Sequence, residues 1–199
     1  MNARPLPIVL LMMCVLGSCV VEINGNGYKS MTDTQKKHLK KFSIDSTDAV
    51  EDPKNNLALT EITGNDVKKV FNKYSYTWVL LWKPWCHGAH CYPLYYYERI
   101  DREHRNKNVK FLPVSLVYNK QQIKQHLEKS DFDRDIFVLN DGVYGNNIKS
   151  SKKKFLEDMS TNATLVKESP AHLVYKGDKL IYYGENMSSK IMDSVLSSN

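Results

Sequence analysis

Residues 76–82 read Tyr-Thr-Trp-Val-Leu-Leu-Trp, with no charged residue. A run that is apolar or aromatic almost throughout, not at alternate positions, suits a strand buried on both faces of a largely parallel sheet. Such a strand needs helices on either side, and the flanking sequence supplies them. Val67, Val70, Phe71 and Tyr74 fall at i, i+3, i+4 and i+7, one face of a helix over 65–74. Pro93 opens a second helix to about residue 105. A strand follows at 109–118, a helix at 120–129, a short strand at 136–139 and a helix at 152–159. Strands at 172–175 and 179–183 flank Gly177-Asp178, a tight hairpin. A helix at 188–196 closes the order α-β-α-β-α-β-α-β-β-α. Strands separated by helices pair in parallel, and the hairpin adds antiparallel strands. The expected fold is α/β: a central mixed β-sheet flanked by helices on both faces.

The N-terminus has a different character. Arg4 is the only charge in residues 1–18, and 8–16 are strongly apolar. Polarity and length follow a signal peptide, and the run is shorter than the ~20 apolar residues of a membrane span. It ends Leu16-Gly17-Ser18-Cys19, which resembles a bacterial lipobox. The expected organisation is a signal peptide at 1–18, a lipid-carrying (palmitoylated) Cys19 heading a polar tether at 19–56, and one domain at 57–199. An ordinary secretory signal and an uncleaved anchor are the alternatives. Within the tether, 31–42 suits a short basic helix, and 43–56 is acidic. The implied location is the bacterial cell envelope, facing the periplasm or the cell surface. The net charge of +6 is spread along the chain. No zinc-finger spacing or aromatic RNA-binding signature accompanies it, so nucleic acid is not an expected partner.

The chain has four cysteines: Cys14, Cys19, Cys86 and Cys91. Removal of the leader and acylation of Cys19 leave Cys86 and Cys91, which in an oxidising compartment read as a disulfide or a redox couple. The segment Trp82-Lys83-Pro84-Trp85-Cys86, a buried strand ending just before a helix, resembles the active-site segment of thioredoxin-like proteins. Ser169-Pro170 ahead of the hairpin resembles their second landmark, a cis-proline loop. The resemblance covers roughly residues 60–199. It implies a thioredoxin-like fold in a membrane-anchored member, with Cys86 attacking a substrate disulfide and Cys91 resolving the mixed disulfide. It also implies that Ser169 and Pro170 lie beside substrate, with a cis Ser169–Pro170 bond next to the cysteine loop; Trp85 either shapes a substrate groove or packs beside Trp82.

One departure matters. Four residues separate the cysteines, Cys86-His87-Gly88-Ala89-His90-Cys91, where the family usually has two. Proline is best tolerated in a helix's first turn, so with Pro93 the helix starts no earlier than about residue 90. Cys91 is then expected at the helix start and Cys86 in the preceding loop, away from the helix-end field that lowers a thiol pKa. Three readings follow. The pair is a thiol-disulfide couple acting on protein thiols or disulfides, assisted by Lys83 and His87. Or it is a structural disulfide in a binding module. Or it joins His87 and His90 in holding copper or zinc. The first is the working expectation, with no metal ligand and no cofactor assigned. His38, His104, His126 and His172 are expected at the surface or in packing roles. No phosphate loop or nucleophile elbow stands out.

Overall fold

A computed structural model of the protein describes residues 25–44, 57–86, 92–128, 132–160 and 162–198. The expected signal peptide, Cys19, His87, His90 and Cys91 lie outside these residues. In chain order the elements are α1 (Asp33–Lys37), β1 (Lys40–Lys41), β2 (Leu59–Ile62), α2 (Gly64–Phe71), β3 (Tyr76–Trp82), α3 (Leu94–His104), β4 (Val109–Ser115), α4 (Lys120–Leu127), β5 (Ile136–Leu139), α5 (Asp141–Tyr144), α6 (Ile148–Met159), α7 (Ala163–Glu168), β6 (His172–Lys176), β7 (Lys179–Gly184) and α8 (Ser189–Ser197). No helix among the described residues is long and apolar enough to cross a membrane.

The strands form one mixed sheet in the order β1-β2-β5-β4-β3-β6-β7. The apolar strand β3 is interior, parallel to β4 from Tyr76↔Val109 to Trp82↔Ser115 and antiparallel to β6 from Tyr76↔Lys176 to Leu80↔His172. Successive strand residues point to opposite faces, which explains the unbroken run. Val79 and Leu81 join Leu112, Val114 and Leu173 in a core under Val70 and Phe71 of α2 and Phe155 and Leu156 of α6. Trp78, Leu80 and Trp82 join Phe111, Val138 and Val174 in a second core under Ile100 of α3, Ile123 of α4 and Met192 of α8. The α/β architecture, with helices flanking a mixed sheet, is the one expected.

Local chemistry sets the helix starts. Asn119, Asn140, Asn147 and Asn162 cap α4, α5, α6 and α7, each side-chain oxygen accepting an N–H from the first turn. Thr63 and Asp66 form a reciprocal capping box on α2. An N-cap of this kind contributes about 1 kcal/mol. Because Asn147 caps it, α6 begins at Ile148, a turn earlier than expected.

Three expectations need correction. Helix α3 starts at Leu94, directly after Pro93 and within the expected bound, but not at Cys91. Pro93 is its N-cap, in an extended conformation with φ −67° and ψ 155°, and a residue before proline is itself steered from the helical region. Cys91 therefore precedes the helix. The 109–118 strand stops at Ser115, after which Tyr118 donates its N–H to the Asn26 carbonyl (2.8 Å). Finally, residues 25–44 are not a free tether. Buried Asn26 donates its amide N–H to the Asn146 carbonyl (2.8 Å) and its side-chain amide to Asp141 (3.0 Å). Tyr28 meets Tyr118 edge-on at 5.1 Å, Phe42 lies against Phe137, and β1 pairs in parallel with β2. Polar residues that satisfy buried backbone groups dock this segment as firmly as apolar ones would.

Candidate functional site

Strand β3 delivers its C-terminal end to a turn in which the Cys86 N–H bonds the Lys83 carbonyl at 3.1 Å. The turn is braced from α4. His126 Nε2 lies 2.6 Å from the Pro84 carbonyl, which only accepts, so Nε2 donates. The same imidazole sits edge-on to Trp82 at 5.1 Å. Histidine 126 is thus a packing residue, as expected, with the particular task of fixing the backbone that carries Cys86.

Cys86 is half of a disulfide, and the sulfur it meets lies outside the described residues. It lines a cavity of about 150 Å³ with Lys83, Tyr92, Tyr97, Lys152, Ala171 and Glu185. The cavity lies at the C-terminal end of β3, where loops from several elements converge. Residues 169–171 come alongside because the Leu81 N–H donates to the Ala171 carbonyl at 2.8 Å. Ala171, the residue after the second landmark, therefore lies beside the end of β3.

The second landmark differs in detail. The Ser169–Pro170 bond is trans, not cis. Ser169 ends α7 in the left-handed region, φ 51° and ψ 55°, with its N–H on the Leu165 carbonyl. That helix end reverses the chain, so Pro170 enters the sheet without a cis bond. Pro170 is buried. The Ser169 carbonyl accepts from Lys152 Nζ at 2.6 Å. Trp85 is half-buried, packs against the core on the α2–α6 face, and lines a separate cavity of about 250 Å³ with Gly25, Asn26, Val117, Asn119 and Gln122. Among the described residues the cavity lining thus joins Cys86 to Ala171 but includes neither Ser169 nor Pro170, and Trp85 lines the other cavity.

Two bases near the cavity, half-buried Lys152 and buried His172, escaped the sequence reading. Burial pulls the Lys152 ammonium down to about 8, with Glu185 opposing and Lys83 adding to the fall. His172 is fully buried. Burial, followed by the nearby Lys152 charge, pulls it down to about 3. Trp78 Nε1–H donates to His172 Nδ1 at 3.3 Å. The neutral ring then carries its proton on Nε2, which has no hydrogen-bond partner among the described residues. Tyr97 stacks obliquely on His172 at 4.9 Å, and burial raises its phenol well above the ordinary range. Lys152 was legible in principle. With Phe155, Leu156 and Met159 it occupies i, i+3, i+4 and i+7, the core face of α6.

Among the described residues no cluster of three or more His, Cys, Asp or Glu side chains could hold a metal ion. Chemically, the site offers a sulfur, an amine withdrawn from solvent, a carboxylate and two phenols around one small cavity. No protein-family model matches the chain, and no curated protein and no solved structure is significantly similar to it.

Proposed function

We propose that the chain is a thioredoxin-like, lipid-anchored protein of the bacterial cell envelope that exchanges disulfides with protein thiols through Cys86 and Cys91. The mixed sheet with helices on both faces is compatible with that fold. The observation that carries the functional reading is the Cys86 half-cystine on a cavity at the strand ends that Ala171 also lines. In open α/β sheets, the carboxyl ends of the strands are where ligands bind.

In the reduced protein, the Cys86 thiolate attacks one sulfur of a substrate disulfide. A Cys86–substrate disulfide forms, and the second substrate sulfur leaves as a thiolate and takes up a proton. Cys91 then loses its proton and attacks the Cys86 sulfur. The first substrate sulfur leaves and is protonated in turn. The substrate gains two electrons, and the protein is left with a Cys86–Cys91 disulfide, which a dithiol reductant restores. The net direction depends on the potentials of the partners.

Two observations favour a second reading, a binding module with a structural disulfide: the trans Ser169–Pro170 bond and the start of α3 at Leu94, well past Cys86. Trapping separates the two. Cys91→Ser leaves the Cys86 mixed disulfide unresolved, so an envelope extract should yield dithiothreitol-sensitive conjugates absent from Cys86→Ser/Cys91→Ser. Equal conjugate levels in the single and double variants would favour the binding module.

A further inference from the structure

We propose that Lys152 is a positioning residue that stabilises the Cys86 thiolate. The assignment deepens the exchange reading and rests on it for its biological meaning, although its test reads the thiol alone.

Cysteine reactivity requires the thiolate, and a free thiol near pKa 8.5 is mostly protonated at neutral pH. A helix end lowers that value only within its first turn. Helix α3 begins at Leu94 behind the extended Pro93, eight positions after Cys86 in sequence, and Tyr92 and Tyr97 at its N-terminal end line the same cavity as Cys86. That cavity also holds two lysines, Lys83 and Lys152. Lys83 is exposed, and water and salt screen an exposed charge. Lys152 reaches inward from α6, and its amine is fixed by the Ser169 carbonyl at 2.6 Å. A partly buried charge acts more strongly on a neighbour than one in bulk solvent.

The other groups facing this amine fit the role. Glu185, following β7, favours the charged amine, and Lys83 disfavours it. His172 on β6 is neutral, and Tyr97 on α3 stays protonated. Thiol and amine then exchange one proton. The Cys86 S–H proton passes to the Lys152 amine, giving a thiolate–ammonium pair. After attack, the ammonium returns that proton to the departing substrate thiolate.

The test follows alkylation of the reduced full-length protein by iodoacetamide across pH 5–10, about two units either side of the thiol range, read on the Cys86 peptide by mass spectrometry. The wild-type midpoint should lie below the free-thiol value of about 8.5. Lys152→Gln keeps a donor for the Ser169 carbonyl but removes the charge, and it should raise the midpoint by about one unit, a tenfold shift in thiolate population. Lys152→Arg should restore the low midpoint, which a purely structural role would not predict. Lys153→Gln, on the exposed side of the helix, should leave it in place. A wild-type midpoint at or above the free-thiol value overturns the assignment even if no Lys152 variant folds. So does an unmoved midpoint in Lys152→Gln. A lowered, Lys152-dependent midpoint without trapped conjugates would defeat the exchange reading alone.

Discussion

Two regions of the molecule bury charge in opposite ways. Behind α3, Asp101 is almost fully buried, and its Oδ2 meets Arg105 at 2.9 Å and Arg134 at 3.4 Å. Arg105 also grips Asp133 with two N–H donors at 3.0 and 2.7 Å. These partners hold the Asp133 carboxyl below, and the Arg105 guanidinium above, their ordinary ranges, against the opposing effect of burial. Around the Cys86 cavity the pairing is weaker. Lys152 meets a carbonyl rather than a carboxylate, and His172 accepts one bond while its Nε2 has no partner among the described residues. Charges locked in mutual contact lower their own energy and have little left to give a reaction. Titratable groups whose burial is only weakly offset by charge change protonation more readily, and such groups gather at functional sites.

The largest effect expected from this contrast is on pH. Folded His172 stays neutral to about pH 3, whereas in the unfolded chain it takes a proton below about 6.5. The unfolded state therefore binds more protons between those values. Stability from this group is complete above pH 6.5, falls as pH drops toward 3, and changes no further below. The slope approaches about 1.4 kcal/mol per pH unit. Urea unfolding at stepped pH should show that slope in the wild type and its loss in His172→Phe. An identical slope in both proteins would place the acid sensitivity elsewhere.

A smaller effect belongs to the paired region. Arg105→Ala strips Asp133 of both donors and leaves buried Asp101 with Arg134 alone. Breaking a buried pair from one side costs about 3 kcal/mol. Chemical denaturation should register that loss while the Cys86 alkylation midpoint stays fixed. A shifted midpoint would mean that the two regions are coupled and that the contrast between them is misplaced.

Strand β3 was legible to the residue, because an uncharged run of aromatic and branched side chains leaves one solution, burial on both faces. Strand β5 and the closing hairpin were legible for similar reasons. Strand β2 was not: it is four residues long, and Glu61 interrupts its apolar character. The docking of residues 25–44 was hidden by polarity, since Asn26 earns its burial through hydrogen bonds that no hydropathy pattern records. Of the site, Cys86 was found by its strand and the 169–171 entry by its place before the hairpin. Lys152 was masked by the neighbouring Lys153 and Lys154, which make the segment read as a solvated face. His172 at the head of β6 carried no signal apart from its lone place in an apolar strand. The cis bond was expected by resemblance, and the left-handed end of α7 supplied the turn instead.

Turnover distinguishes an exchangeable Cys86 disulfide from one that is merely structural. Purified full-length protein is mixed with a disulfide-bonded protein substrate and dithiothreitol, and substrate reduction is followed beside Cys86→Ser. The account predicts wild-type acceleration at least ~100-fold above the variant, since the nucleophile of exchange is a thiolate and no other sulfur lies at this cavity among the described residues. A wild-type rate equal to that of Cys86→Ser would contradict it and leave a disulfide that only holds its loop in shape.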